Sequence, residues 1–379
     1  MKIGIITMHK VLNYGSALQA FALQRKISEL GYESEIIDYI FPPHKKTRIT
    51  LQSVIDNVFV FLRAVVMGFP KKKKERRFQE FYDAFYRLSP QSYNAEKIIQ
   101  DVPKYDVYMT GSDQVWNPRY IGTDTNFLLS FAPQDKPKIS YASSFATSSI
   151  PEGSKKFYEK YLKEYSCISV RESTGSFLVQ DVAGKKSMVC CDPVFLLNRD
   201  QWDTVAEKAR KRNEDKYILV YALYYMFDPY PELLQIIDNV QKTLGYKVLY
   251  LDGRKEDAFR PNSSVLKAEG PSEFVSLVKN AELVITSSFH GVAFSLIYER
   301  PLMAIVRKED KTDSRIPSLL KIAGAEKSLV AYDSNLKLSR VELYHLRNDS
   351  TCLTQYIESS IDYLNNSLNN LKYNKNIIE

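Results

Sequence analysis

The sequence predicts an α/β protein of two doubly wound, Rossmann-like units that face each other across a cleft, followed by C-terminal helices. Three observations predict this. Short apolar runs alternate with runs whose apolar residues recur at helical spacing, the pattern of parallel strands with crossover helices. The alternation breaks in a polar, charged stretch at 198–216 and then restarts. The chain, at 379 residues, is also longer than one ordinary core accommodates.

The elements come in order along the chain. Ile3 to Met8 reads as a first buried strand; this start is too short for a signal-peptide core and lacks a small-residue cleavage site. Ala20, Leu23, Ile27 and Leu30 mark a helix opened by Gly15-Ser16 and stopped at Gly31. Strands are expected at Glu35–Tyr39, Asp106–Thr110, Lys138–Ala142, Cys167–Val170 and Met188–Cys191, with a helical insertion at about 51–87 and a helix at Ser154–Glu164. This gives an N-terminal unit of 1–197 and a linker of 198–216 with room for a helix of its own. The second unit, 217–330, has strands at Tyr217–Leu223, Lys247–Leu251, Glu282–Thr286 and Leu302–Val306. Its helices are Pro231–Leu244, Ser272–Asn280 and Val292–Tyr298. The tail, 331–379, reads as mostly helical from Leu338 onward.

Composition narrows the function classes. Apolar (44%) and charged (26%) fractions are those of a soluble globular protein. No run approaches the ~18 apolar residues of a membrane span. Cys167, Cys190, Cys191 and Cys352 form neither a CxxC pair nor a Cys/His cluster, so neither structural zinc nor a disulfide framework is expected and no metal site is assigned. Buried thiols in a reducing cytoplasm are the expectation. A net charge of +7 fits an acidic ligand, a nucleic acid or an anionic membrane surface. Part of it lies in the basic run 71–77, which comes after the apolar stretch 58–67. That pairing is either a packed helix with a solvated basic end or a contact with anionic lipid at the cytoplasmic membrane face. Without interleaved aromatics or a nucleic-acid motif, one basic run makes nucleic acid a remote partner.

Four loops lie just past strand ends, where open α/β sheets bind ligands. In Asn13-Tyr14-Gly15-Ser16 the helix start suits an anion, although a tight turn with an N-cap explains the residues equally well. In Ser112-Asp113-Gln114-Val115-Trp116-Asn117, turn chemistry leaves Gln114, Trp116 and Asn117 unexplained; amides and an aromatic face suit a sugar. Arg171, in Ser169-Val170-Arg171-Glu172, is either a fork for a carboxylate or phosphate or one half of a surface ion pair. His290, within Ser287-Ser288-Phe289-His290-Gly291, is either a proton-transfer group or a half-buried helix-capping histidine. The flanking serines and glycine suggest close backbone approach to a ligand. Of the other histidines, His9 lies near a strand end and stays a candidate, while His44 and His345 read as surface residues.

Taken together, these stretches resemble the polysaccharide pyruvyl transferase family. The resemblance is carried by Asn13-Tyr14-Gly15, Gly111–Asn117, Ser140–Phe145, Ser169–Glu172, Asp192–Leu197 and Thr286–Gly291, in family order over most of the chain. Ser288 and Phe289 stand where members more often carry a basic residue and a leucine, and Tyr14-Gly15-Ser16 where Gly-Asp is common. The resemblance implies a fold similar to the GT-B glycosyltransferases. It implies transfer of the enolpyruvyl unit of phosphoenolpyruvate to a sugar, often lipid-linked, for capsule, exopolysaccharide or cell-wall polymers, closing a cyclic ketal and releasing phosphate. The family's histidine falls on His290 and its arginine on Arg171. Ser287, Ser288 and Gly291 then belong with the donor. Asn13, Tyr14, Gly15, Ser16, Ser112, Asp113, Gln114, Trp116 and Asn117 belong on the acceptor side. Phosphoenolpyruvate is a substrate, and no cofactor is required. The rival readings are a nucleotide-sugar GT-B glycosyltransferase and a non-catalytic carbohydrate-binding protein of the same fold.

Overall fold

The computed structural model describes residues 1–41, 69–122, 124–212, 215–224, 228–307, 315–331 and 351–375. In the first unit β1 (Lys2–Ile6), α1 (Tyr14–Glu29) and β2 (Glu33–Tyr39) come first. Next are α2 (Pro70–Phe85), β3 (Leu88–Tyr93), α3 (Lys97–Gln100), β4 (Val107–Thr110), α4 (Pro118–Ile121) and β5 (Lys138–Ser140). All five strands are parallel, in the order β3-β2-β1-β4-β5. After α5 (Glu152–Leu162), the short pair β6 (Ser169–Val170) and β7 (Met188–Val189), separated by α6 (Ser173–Ala183), continues beside β5 through single bridges at Ile139–Cys167 and Ser143–Val170.

The helix α7 (Arg199–Ala206) leads to the second unit. There β8 (Tyr217–Tyr221), α8 (Glu232–Leu244), β9 (Lys247–Leu251), β10 (Ser263–Leu266), α9 (Pro271–Asn280) and β11 (Leu283–Thr286) precede α10 (Phe289–Ile297). Then come β12 (Leu302–Val306), α11 (Arg315–Ile322) and β13 (Leu329–Ala331). The order β10-β9-β8-β11-β12-β13 is again all parallel, with its topological switch between β8 and β11. The doubly wound expectation holds in both units.

Long-range packing overrides the local pattern in three places. The sequence marks α1 as amphipathic, yet every residue from Tyr14 to Gln24 is buried. The helix lies between its own sheet and the second unit: Tyr14 stacks on Phe274 of α9 (centroids 5.1 Å apart, 4° between planes), and one apolar cluster runs from Ile3 through Leu18 to Phe294. The stretch expected as a polar linker contains α7, whose Trp202 is fully buried, edge-on to Phe21 and Phe294, with its indole N–H donated to the Val194 carbonyl (2.9 Å). Trp202 therefore wedges the two units together.

Of the helical insertion expected at about 51–87, the part 51–68 lies outside the described residues, and 70–85 is α2. This helix belongs in sequence to the first unit but clasps the second, with Lys74 on Asp252 (2.7 Å) and Arg77 on Glu269 (2.6 Å) and Glu273 (3.6 Å). At the C-terminus, 338–350 lies outside the described residues, and α12 (Thr351–Lys375) returns to the first unit. There the Ser360 hydroxyl accepts from Cys191 N–H (3.0 Å), and Tyr32 donates its hydroxyl to Asn369 (2.6 Å). Cys190 and Cys191 are free thiols, each pushed up to about 12 by burial. Among the described residues no helix is long and apolar enough to cross a membrane.

Candidate active site

The turn from β11 into α10 is built by its own side chains. The Ser288 hydroxyl caps α10 by accepting from Gly291 N–H (3.3 Å). The Ser288 N–H donates to Thr286 Oγ1 (3.0 Å), and the Ser287 hydroxyl accepts from Leu223 N–H (2.8 Å), tying this turn to the end of β8. A Cβ at Gly291 would sit 2.4 Å from Thr286 Oγ1, so only glycine lets α10 start this close to its strand. The N–H of Gly291, a residue the resemblance puts with the donor, is thus held by Ser288.

The turn delivers His290 to Asp192, at the start of the Asp192-Pro193 segment that comes after β7. Asp192 is the hub. Its Oδ2 accepts from Arg171 Nη1 (2.7 Å) and from the Ser112 hydroxyl (3.4 Å), and lies 3.4 Å from His290 Nε2 without hydrogen-bond alignment. Its Oδ1 accepts from Val194 N–H (3.1 Å). The Arg171 and Asp192 side chains are 2% and 0% exposed. Burial alone would raise the Asp192 pKa; the neighbouring His290 and Arg171 outweigh it and hold the carboxyl well below the usual carboxylate range. The guanidinium lies 4.7 Å over the Phe289 ring, a desolvated cation–π contact. With Nη1 on Asp192, the Arg171 Nε and Nη2 groups are buried and have no hydrogen-bond partner. Two N–H groups of one guanidinium in that condition are a fork for an anionic oxygen pair.

His290 is pinned from the other unit as well. A Cβ on Gly15 would fall 1.9 Å from His290 Nδ1, so the first turn of α1 lies directly against the imidazole. Gly15 was expected to admit a ligand; what it admits is the His290 ring. Beside it, Asn13 caps α1 by accepting from Ser16 N–H (3.2 Å), and the Ser16 hydroxyl donates to Asp113. Asp113 has a left-handed φ of 75°, costly for a non-glycine residue, and is held there by Gln114 N–H on its Oδ1 (2.8 Å) and Ser144 N–H on its carbonyl (2.9 Å). Tyr14 is buried, with Lys74 Nζ 4.5 Å over its ring and its hydroxyl unpartnered.

The structure thus brings Gly15, Ser112, Arg171 and His290 around Asp192. It does not bring Trp116 there as a sugar platform. Trp116 is fully buried, edge-on to Tyr165, with its indole N–H on the Phe127 carbonyl (3.1 Å). Its ring face is core, which corrects that acceptor assignment. Gln114 and Asn117 bond each other (2.9 Å), and Asn117 caps α4.

Arg171 forms no surface pair with Glu172. Glu172 Oε1 instead accepts from the Ser144 hydroxyl (3.0 Å) and from Phe145 and Ala146 N–H (2.9 and 3.1 Å), clamping the Ser140–Phe145 stretch behind the site. His9 is buried beneath its strand end, with Nδ1 on the Thr7 carbonyl (3.1 Å) and Nε2 on Asp38 (3.2 Å). It shares no contact with Arg171, Asp192 or His290. His44 and His345 lie outside the described residues.

Two participants, Asp192 and Phe289, lie in the quoted family stretches but carry no role assigned from sequence. Asp192 carried a usable signal: an aspartate directly after a strand, with proline next to it, in the zone where Arg171 and His290 were assigned.

Two parallel doubly wound units with a closing C-terminal helix define a GT-B-type protein. Solved structures agree on the fold. The chain superposes on a UDP-GlcNAc 2-epimerase from Methanocaldococcus jannaschii with a TM-score of 0.52 at 11% identity, covering 91% of each chain. It superposes on a S. aureus MnaA–UDP co-structure with a TM-score of 0.52 at 12% identity, over 96% of this chain and 97% of that one. An α,α-trehalose 6-phosphate synthase from Burkholderia multivorans gives 0.51 at 8% identity, over 100% and 99%. At such identities the likeness is one of fold alone. No curated protein sequence matches the chain. Residues 13–309 match the model of the polysaccharide pyruvyl transferase family, and the chain belongs to that family.

Proposed function

We propose that this protein transfers the pyruvyl unit of phosphoenolpyruvate to a sugar of a cell-surface polysaccharide or its lipid-linked precursor, closing a cyclic ketal and releasing phosphate. One observation supports this most: a buried arginine with two unpartnered N–H groups, fixed by Asp192 next to His290, in a chain of this family. Phosphoenolpyruvate brings a carboxylate and a phosphate. Arg171 grips one of them through Nε and Nη2 while Asp192 holds Nη1.

His290 is the proton carrier. Proton transfer to the donor's methylene carbon makes C2 electrophilic, and the first sugar hydroxyl adds there. The second hydroxyl then displaces phosphate from C2, and its proton leaves on the departing phosphate. His290 gives the first proton and takes one from a hydroxyl, and ionised Asp192 stabilises its cationic form. Side chains supply all the charge and protons in this scheme. The basic run 71–77, which follows the apolar stretch 58–67 in sequence, suits a cytoplasmic enzyme working near the membrane face on a lipid-linked acceptor.

A thermal-shift titration with phosphoenolpyruvate, run beside UDP- and GDP-sugars, tests the donor. Stabilisation by phosphoenolpyruvate that is lost in Arg171→Ala is the expected result. Stabilisation by a nucleotide sugar alone overturns the reading. With an acceptor in hand, His290→Ala should lower phosphate release ~100-fold or more. Arg171→Lys should raise the donor KM, because one ammonium cannot replace a guanidinium fork.

A further inference from the structure

A cavity, about 430 Å³ in volume, opens at the carboxyl ends of β9 and β10. Its walls are the first turn of α2, Arg212, the segment after β9 and the end of β10. Strand carboxyl ends are where doubly wound sheets form ligand sites. The cavity shares no lining residue with the Asp192 cluster, and its chemistry is the same whether or not phosphoenolpyruvate is the donor.

The charge on this cavity is one-sided. Lys73, Arg212, Arg254, Lys255 and Lys267 line it, against one carboxylate, Glu269. Glu269 is already committed: one oxygen accepts from Arg77 (2.6 Å) and the other from Arg212 (2.7 Å), and its side chain is 4% exposed. Arg254 is held in place by Asp228 (2.6 Å) and lies over the Tyr230 ring (4.1 Å). Among the described residues, Lys73, Lys255 and Lys267 have no ion-pair partner. Like charges gathered on one concave wall repel, and a multivalent anion relieves that repulsion.

The opposite requirement is met by the rest of the lining. Phe259 is 88% exposed, and Val265, Leu266 and Ala268 form an apolar wall. An exposed phenylalanine amid ammonium groups suits a ligand that is ionic at one end and apolar or aromatic at the other. The volume is within the range of small-molecule sites.

We propose that this cavity binds a diphosphate ester, with the diphosphate on Lys73, Lys255 and Lys267 and the organic group against Phe259. A nucleoside diphosphate and a prenyl diphosphate share that chemistry. Calorimetric titration of the full chain with inorganic diphosphate, UDP and farnesyl diphosphate distinguishes them. At least one ester should bind more tightly than inorganic diphosphate. The Lys255→Ala/Lys267→Ala double variant, whose side chains make no other polar contact among the described residues, should weaken that ester about tenfold or more. Phe259→Ala should weaken the preferred ester and leave inorganic diphosphate unchanged, and the ester so affected identifies the source. Arg171→Lys should leave the binding intact. The proposal is overturned if no diphosphate binds, if esters gain nothing over inorganic diphosphate, if binding survives loss of both lysines, or if Arg171→Lys abolishes it.

Discussion

Gly15 and His290 lie on different units of the fold, and the space a Cβ on Gly15 would need is occupied by the His290 ring, at 1.9 Å from Nδ1. Gly15 is in the first turn of a helix, where alanine is ordinarily the better residue by roughly 0.5–1 kcal/mol. The clash decides the sign instead. Helix α1 is enclosed along this turn and cannot back away, whereas the half-turn of α10 carrying His290 can yield only by turning the ring off Asp192. Gly15→Ala should therefore cost about 1–3 kcal/mol of stability by overpacking and lower the turnover of the folded protein about 100-fold, because a displacement of about 1 Å at a reacting group costs that much. Full activity in a folded Gly15→Ala protein would mean that the position of the His290 ring is not critical.

Asp192 should make stability depend on pH in acid. Its folded pKa is depressed, so the unfolded chain, titrating near 3.9, binds the extra proton as pH falls. The contribution is present in full above that unfolded value and is lost as pH drops toward the folded one. Asp192→Asn removes it and leaves the Arg171 charge buried without its partner, at a cost of about 3–5 kcal/mol near neutral pH. Denaturant melts of both proteins from pH 7 down to pH 2 should show a constant gap above about pH 5 that narrows below about pH 4. A gap independent of pH throughout would assign the loss to packing rather than to charge.

The sequence exposed the central strands and the loops at their ends, because a strand covered on both faces must be an apolar run. Edge strands escaped. β3 (Leu88–Tyr93), β10 (Ser263–Leu266) and β13 (Leu329–Ala331) each lie at the border of a sheet and are short and partly exposed, so no apolar run marks them. Arg171 and His290 were legible because each puts a side chain rich in chemistry in a loop just past a strand end. Their meeting was not, since it depends on how the two units dock. Trp116 misled for the converse reason: an indole amid turn residues resembles a sugar platform until the packing of Phe145, Tyr158 and Tyr165 around that loop is known.

That packing separates a structural tryptophan from a binding one. Trp116 fills a fully buried position, and its backbone carbonyl accepts from the Tyr158 hydroxyl (2.8 Å) while its N–H reaches the Phe127 carbonyl. Trp116→Ala should cost about 3–5 kcal/mol of unfolding free energy through the cavity it leaves. Trp116→Phe keeps the aromatic contacts with Phe145 and Tyr165 and loses one buried hydrogen bond, so its cost should be smaller, about 1–3 kcal/mol. In that milder variant the acceptor KM should stay within about twofold of the parent, since no ring face is offered to a sugar. A tenfold rise in acceptor KM with an unchanged melting temperature would return Trp116 to the acceptor site. The same measurement on Gln114→Ala, where the side chain is half-buried at the rim of the loop, then shows whether this loop touches the acceptor at all.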